Sequence, residues 1–268
     1  MIKLSIITIN LNNKPGLIKT MESVFSQSVK GFEYIVIDGN SNDGSKEEIQ
    51  KHDSQITHWR SEPDSGIYNA MNKGIKLAKG EYLLFLNSGD YLESATTLEH
   101  VIKQLHTEDI VYGNMIIDRG GKFIQGISPA KLEFEEMIRG TLWHPVSFIK
   151  RELFDRYGLY SEKYKIISDY EFFLRTIFIE KVNTRHIPVF VSVFNTEGLG
   201  SSSNHIKVHE QERYEVQTKL FHPEIVDSAM RFSNMKRSKP EVIYNFIKTK
   251  PFLLSMARMV YAVAKRFF

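Results

Sequence analysis

Three aspartates stand where a carboxylate could do chemistry. Asp90 closes the polar turn Asn87-Ser88-Gly89-Asp90, directly after the unbroken apolar run Tyr82-Leu83-Leu84-Phe85-Leu86, the pattern of a strand covered on both faces. Open α/β sheets bind ligands beyond the carboxyl ends of their strands, which places Asp90 at a ligand site. Asp38 follows a second apolar run and opens the loop Asp38-Gly39-Asn40-Ser41-Asn42-Asp43-Gly44-Ser45, and the two polar loops are expected to share one cleft. Asp38 and Asp43 could equally cap the turn and the helix that opens at Ser45, where Glu48 completes a capping box. Asp169 begins a helical stretch, a place where the macrodipole also favours an acid. Glu171, two residues on, points elsewhere and is expected in a salt bridge. Asp64 and Asn69 lie at the rim of the same cleft, with Asn72 and Lys73 on the polar side of the helix that follows. His144 is isolated in Trp143-His144-Pro145, and the histidines show no metal-ligand spacing. The absence of cysteine excludes a disulfide framework, a thiolate zinc site and cysteine catalysis, and fits a reducing cytosol.

Strands alternating with helices must hold these groups. Residues 3–9, 32–37, 56–61 and 82–86 read as buried strands, and 15–28, a segment from Ser45, and 66–79 as helices between them. In the last of these, Ile67, Ala70, Met71, Gly74, Ile75 and Ala78 recur at helical spacing and form one apolar stripe. Such alternation predicts an α/β fold with a parallel sheet and helices on both faces. After Asp90 a helix at 94–105 leads to an antiparallel pair at 110–117 and 122–127, turned at Arg119-Gly120-Gly121. A short strand at 146–149, helices at 151–157 and 169–179 and a last strand at 187–195 follow, then a Gly/Ser loop at 198–204. From 205 the pattern is helical only, so the expected division is 1–204 and 205–268.

With 42% hydrophobic and 25% charged residues, the 268-residue chain has the composition of a folded globular protein. The N-terminus lacks the apolar core and cleavage site of a signal peptide and is expected to be the first strand. A net charge of +3 conceals an asymmetry: residues 231–268 carry nine Lys or Arg against the single acid Glu241, or +8, which leaves −5 on the first 230. The segment PFLLSMARMVYAVAKRFF, 251–268, is apolar but contains Arg258 near its middle, so a helix lying on an anionic membrane surface is expected rather than one crossing it. A helix docked on the protein is the other reading of that segment. The tail has no stacking aromatics set in a basic groove, so no nucleic-acid partner is expected.

The motifs SIITIN, VIDGNSNDGS, EPDSGIYNAMNKG, LLFLNSGD and SDYEFFLR, in this order, resemble the inverting family 2 glycosyltransferases. Similarity is greatest to the bacterial enzymes that build capsule, O-antigen and colanic-acid-like polysaccharides, and it covers about residues 1–200. It implies a GT-A fold, a Rossmann-like, mixed and mostly parallel sheet with helices on both faces, followed by a C-terminal helical extension. It also implies transfer, with inversion, of a hexosyl or N-acetylhexosaminyl group from a nucleotide-diphosphate sugar, UDP-sugars favoured, to a lipid-linked or saccharide acceptor. Carried onto this sequence, Asp38 looks like the aspartate that hydrogen-bonds the nucleotide base, Asp64 and Asn69 line the donor pocket, and Asn87 touches ribose. Asp90 takes the place of the metal-binding carboxylates, for Mg²⁺ or Mn²⁺. The sequence departs from the family there, since many relatives read Asp-x-Asp-Asp and only one carboxylate remains. A hard cation can still use one carboxylate with phosphate and water oxygens. His144 is expected to donate to the diphosphate or the acceptor, and Asp169 resembles the general base of an inverting transfer. The basic tail, together with a lipid-linked acceptor that must be met at the membrane, leads to the expectation of a cytoplasmic enzyme attached peripherally to the inner face of the cell membrane. The depleted metal motif leaves open a non-catalytic sugar-nucleotide-binding or scaffold subunit, against which the joint presence of Asp38, Asp90 and Asp169 speaks.

Overall fold

A computed structural model describes residues 2–196 and 203–238, together with 242, 248–250, 252, 253, 255 and 256. The chain divides into two compact units, Met1–Leu132 with Thr141–Val216, and Glu133–Gly140 with Gln217–Phe268.

The first unit is built on one sheet. Strands β1 (Leu4–Asn10), β2 (Glu33–Asp38), β3 (His58–Ser61) and β4 (Tyr82–Phe85) run parallel in the order β3-β2-β1-β4. Every residue of β1, β2 and β4 is buried, as expected of apolar-rich strands covered on both faces, and the polar Ser5, Thr8, Asn10, Glu33 and Asp38 are buried with the rest. Helices α1 (Lys14–Phe25), α2 (Ser45–Lys51) and α3 (Ile67–Leu77) connect them. Leu17, Met21 and Val24 of α1 and Ile49 of α2 join Leu4, Ile6, Val36 and Leu84 of the strands in one core. On α3, Ala70, Met71 and Ile75 are buried as the stripe predicts, and Asn72, expected on the polar side, is buried with them. Gly74 lets α3 lie against β1, since a Cβ there would stand 2.5 Å from Ile7 Cγ2.

Beyond Asp90 the sheet becomes mixed. The short β5 (Tyr91–Leu92) and helix α4 (Thr97–Ile102) lead to the hairpin β6 (Ile110–Arg119) and β7 (Lys122–Gly126). β8 (Ser147–Lys150) pairs antiparallel with both β4 and β6, while β9 (Thr184–Asn195) runs parallel to β6 and antiparallel to β5. Helices α6 (Glu152–Tyr157) and α7 (Ser168–Leu174) lie between β8 and β9. The single helix expected over 169–179 ends at Leu174 and continues as a π turn, Arg175–Ile179. The capping box expected at Ser45 is not formed. Gly44 takes the N-cap position in a left-handed conformation, and Asp43 Oδ1 accepts from both the N–H and the hydroxyl of Ser45. Asp43 Oδ2 accepts from Lys14 N–H, so one carboxylate joins the starts of α1 and α2.

Helix α8 (Ser203–Leu220) begins in the first unit and ends in the second. Among its described residues the second unit also contains α5 (Phe134–Arg139), which no sequence signal singled out, and α9 (Pro223–Lys236). Phe134 packs edge-on against Phe221, with ring centroids 4.8 Å apart. Lys236 Nζ lies 2.6 Å from carboxylate oxygens of both Glu133 and Glu135, and Arg237 pairs with Glu136. Two cations of the basic tail are therefore matched by acids of an earlier segment. Among the described residues no helix is long and apolar enough to cross a membrane. The segment 251–268 lies outside the described residues except for 252, 253, 255 and 256.

Candidate functional site

The carboxyl ends of β2, β1 and β4 lie side by side, and polar side chains join the loops that leave them. Asn10, the last residue of β1, donates through Nδ2 to Asp38 Oδ1 at 2.8 Å and accepts from Ser88 Oγ at 2.6 Å. The two polar loops are thus tied through one buried amide. Asn13 Nδ2 donates to the Ser88 carbonyl, and Thr20 donates to the Asp90 carbonyl at 2.6 Å. Asn10, Asn13 and Thr20 were not singled out as site residues from the sequence. The stretch Asn10-Leu11-Asn12-Asn13 carries a signal for the first two, and Thr20, inside α1, had none.

Asp38 is fully buried. Its Oδ1 accepts from Asn10 Nδ2 and Ser41 Oγ, and its Oδ2 accepts from Ser41 N–H and Ser61 Oγ, at distances of 2.6 to 3.0 Å. Four donors fill a carboxylate's inventory of about four lone-pair positions. Asp64 Oδ1 accepts from Gly66 N–H, and its Oδ2 lies so near Gly39 that a Cβ there would stand 2.4 Å from it. Glycine at 39 is what admits Asp64 to the Asp38 loop. Asn69 donates to Glu162 Oε2 at 2.9 Å and Asn72 to Glu162 Oε1 at 3.1 Å, so this acid, which sequence reasoning missed, organises the start of α3. Lys73 pairs with Glu62 at 3.1 Å, and Glu171 with Arg175 at 3.1 Å.

The second part of the site lies at the end of β4. Asp90 is buried; its Oδ1 accepts from Asn195 N–H at 3.3 Å, and its Oδ2 has no hydrogen-bond partner among the described residues. Burial pushes its pKa up to about 6, with the nearby His144 acting in the opposite direction. On the same turn Asn87 Oδ1 is also buried without a partner among the described residues, while Asn87 Nδ2 lies 3.2 Å from His144 Nε2. Two orphaned acceptor oxygens on one turn fit a hard cation, because such ions take oxygen ligands. Among the described residues no group of three or more His, Cys, Asp or Glu could hold a metal alone, so phosphate and water oxygens would have to complete the shell.

Asp169, at the start of α7, meets His144 across the site, with Oδ2 3.1 Å from Nδ1. A carboxylate only accepts, so Nδ1 carries the proton in this contact. Tyr68 Oη lies 2.8 Å from Asp169 Oδ1, and Tyr170 N–H donates to the same oxygen at 2.9 Å. Burial alone would raise the Asp169 pKa, but His144, Tyr68 and the Tyr170 N–H outweigh it and hold the carboxyl below its usual range. For His144 burial disfavours the charge, yet Asp169 and Asp90 raise its pKa. Helix α8 braces the segment before α7: Glu212 accepts from Lys165 N–H at 2.7 Å and from Ile166 N–H at 3.1 Å. The site therefore sets an ionised carboxylate beside an imidazole that reaches the Asn87–Asp90 turn.

Comparison with known proteins agrees with this frame. Residues 5–161 match the profile of glycosyl transferase family 2. An uncharacterized glycosyltransferase of Mycobacterium tuberculosis is 33% identical over 203 residues, covering 74% of this chain and 76% of that protein. A PGL/p-HBAD biosynthesis glycosyltransferase of Mycobacterium bovis is 30% identical over 225 residues, covering 81% and 85%. Among solved structures, S. aureus TarS 1–349 in complex with UDP-GlcNAc superposes with a TM-score of 0.62 at 18% identity, over 78% of this chain and 65% of that one. The mannosyltransferase PcManGT from Pyrobaculum calidifontis, in complex with GDP-Man and Mn²⁺, gives 0.59 at 15% identity over 98% and 85%. These likenesses are to the GT-A fold.

Proposed function

We propose, from the premise that this chain belongs to glycosyl transferase family 2 and is a glycosyltransferase, that it moves a sugar from a nucleotide-diphosphate donor to a hydroxyl acceptor with inversion. The observation that carries this reading is the 3.2 Å contact between Asn87 and His144, which sets the Asp169 carboxylate next to the Asn87–Asp90 turn. A base for the acceptor and a site for the leaving diphosphate are then neighbours, as a single displacement needs. Asp90 would hold Mg²⁺ or Mn²⁺, which when bound neutralises diphosphate charge. Asp38 serves the nucleotide end by fixing the loop that faces the base, with Asp64 behind it, while Asn69, through Glu162, shapes the wall where the donor sugar lies. TarS and PcManGT are named with UDP-GlcNAc and GDP-Man respectively, and the UDP-sugar is favoured here on the resemblance of the loop motifs. The acceptor is a lipid-linked saccharide of bacterial surface polysaccharide synthesis, met at the cytoplasmic face of the membrane through the basic C-terminal segment.

The test is a panel of UDP-glucose, UDP-galactose, UDP-N-acetylglucosamine and GDP-mannose with Mn²⁺, Mg²⁺ or EDTA, read as release of nucleoside diphosphate and as transfer to lipid-linked acceptors. Asp169→Asn should bind the donor normally and lower turnover by about 10² to 10⁴, since the amide cannot take the proton. Turnover of the variant at the wild-type rate would remove Asp169 from the reaction. Donor binding with no turnover by the unaltered protein would make it a binding subunit.

A further inference from the structure

Asp169 has about four lone-pair positions to offer, two on each oxygen. Tyr68 Oη and Tyr170 N–H occupy both positions of Oδ1, at 2.8 and 2.9 Å, and His144 Nδ1 occupies one of Oδ2, at 3.1 Å. One position, on Oδ2 beside His144, is unfilled by these contacts. Tyr68 Oη also lies 2.6 Å from the Ile166 carbonyl oxygen. Its single proton can serve only one of these two acceptors at a time.

We infer that Tyr68 and His144 are positioning residues that clamp Asp169 and leave the free lone pair of Oδ2 as the seat of the acceptor hydroxyl, an inference that rests on the glycosyl-transfer reading above. In the step, the acceptor O–H bond breaks and its proton passes to Asp169 Oδ2. The electron pair left on the acceptor oxygen forms the bond to the anomeric carbon, and the bond from that carbon to the diphosphate breaks with its pair on the leaving nucleoside diphosphate. While Asp169 is ionised, the Tyr68 proton points to Oδ1; once the carboxyl has become neutral, the hydroxyl turns to the Ile166 carbonyl. Both charge states leave Tyr68 with an acceptor. The three donors make the carboxylate a weaker base but a fixed one. Magnitudes decide which effect wins: a reacting group misplaced by about 1 Å can cost about 10²-fold, whereas the basicity regained on losing one donor returns at most about tenfold.

Tyr68→Phe, His144→Ala, His144→Asn and Asp169→Asn should be compared in hydrolysis of whichever panel nucleotide sugar the unaltered enzyme turns over fastest, water serving as acceptor. Circular-dichroism melts confirm that each variant is folded. Tyr68→Phe and His144→Ala are expected to lower kcat about tenfold at saturating donor, with the donor KM of Tyr68→Phe within threefold of the original. The asparagine amide can stand where Nδ1 stands, so His144→Asn should recover kcat to within about threefold. If Asp169→Asn is inactive while Tyr68→Phe and His144→Ala run at full rate, or if His144→Asn is no faster than His144→Ala, the clamp is wrong and the base survives. If Asp169→Asn itself runs at full rate, the glycosyl-transfer reading of this carboxylate falls.

Discussion

At the scale of single residues, the two buried aspartates beside the cleft are held in opposite ways, and their variants should respond oppositely. Asp38 is saturated by four donors, whereas Asp90 Oδ2 has none among the described residues. Asp38→Ala should raise the donor KM more than it lowers kcat, because it loosens a binding loop rather than the reacting groups. It should also lower the melting temperature, since loss of one partner strands buried donors at about 1–3 kcal/mol. A pure kcat effect would contradict a place at the nucleotide end. For Asp90 the folded pKa of about 6 lies above the ordinary carboxylate value, so the folded state binds the proton more tightly than the unfolded chain. Stability tied to that proton is present at low pH and is lost as pH rises through about 6, reaching roughly 3 kcal/mol of destabilisation at neutral pH. Asp90→Asn in EDTA should therefore raise the melting temperature at pH 7.5, by several degrees, and change it little at pH 4, while abolishing any dependence of activity on Mn²⁺. An equal shift at both pH values would show that the carboxyl is not strained. These contrasts were not legible in the sequence, where Asp38 and Asp90 look alike: each is an acid in a polar loop after a buried strand.

At the scale of elements, α3 couples core packing to the site. Its buried face meets β1 and its first turn supplies Tyr68 and Asn69. Gly74→Ala would place a methyl 2.5 Å from Ile7 Cγ2. Overpacking costs about 1–3 kcal/mol in a dense core, against about 1 kcal/mol regained in helix propensity, so packing wins or balances. The expected result is a melting temperature lower by a few degrees together with reduced kcat, as α3 and Tyr68 shift. A higher melting temperature would mean that Ile7 swings aside without cost. The existence of α3 and of β1 to β4 was legible because burial of consecutive apolar residues and helical spacing are local patterns. The ends of α7 were not, and for α2 the sequence offered both Ser45 and Asp43 as the cap without choosing between them. Whether Ser45 or Asp43 satisfies the first turn depends on where Lys14 stands, an element away.

At the scale of the whole molecule, the charge asymmetry predicts that the C-terminal segment reaches an anionic leaflet, each basic residue near that surface contributing about 1 kcal/mol. Lys236 and Arg237 are already matched by Glu133, Glu135 and Glu136, so the remaining cations must supply the attraction. A chain ending near Pro240 should stay in the supernatant with phosphatidylserine liposomes that sediment the full chain, and 0.5 M salt should weaken the full chain's binding. Equal behaviour of the two chains would remove the tail as the anchor. By itself the sequence determined the alternation of strands and helices, the polar loops at the strand ends, the three aspartates and the basic tail, because each is a property of neighbours along the chain. Only the tertiary structure decided that β8 lies between β4 and β6, that β9 runs parallel to β6, and that His144 and Tyr68 meet Asp169 from 25 and 101 residues away. Such partners are selected when the assembled sheet buries its faces and nearly all buried donors and acceptors must find a match, a condition that no local pattern of residues contains.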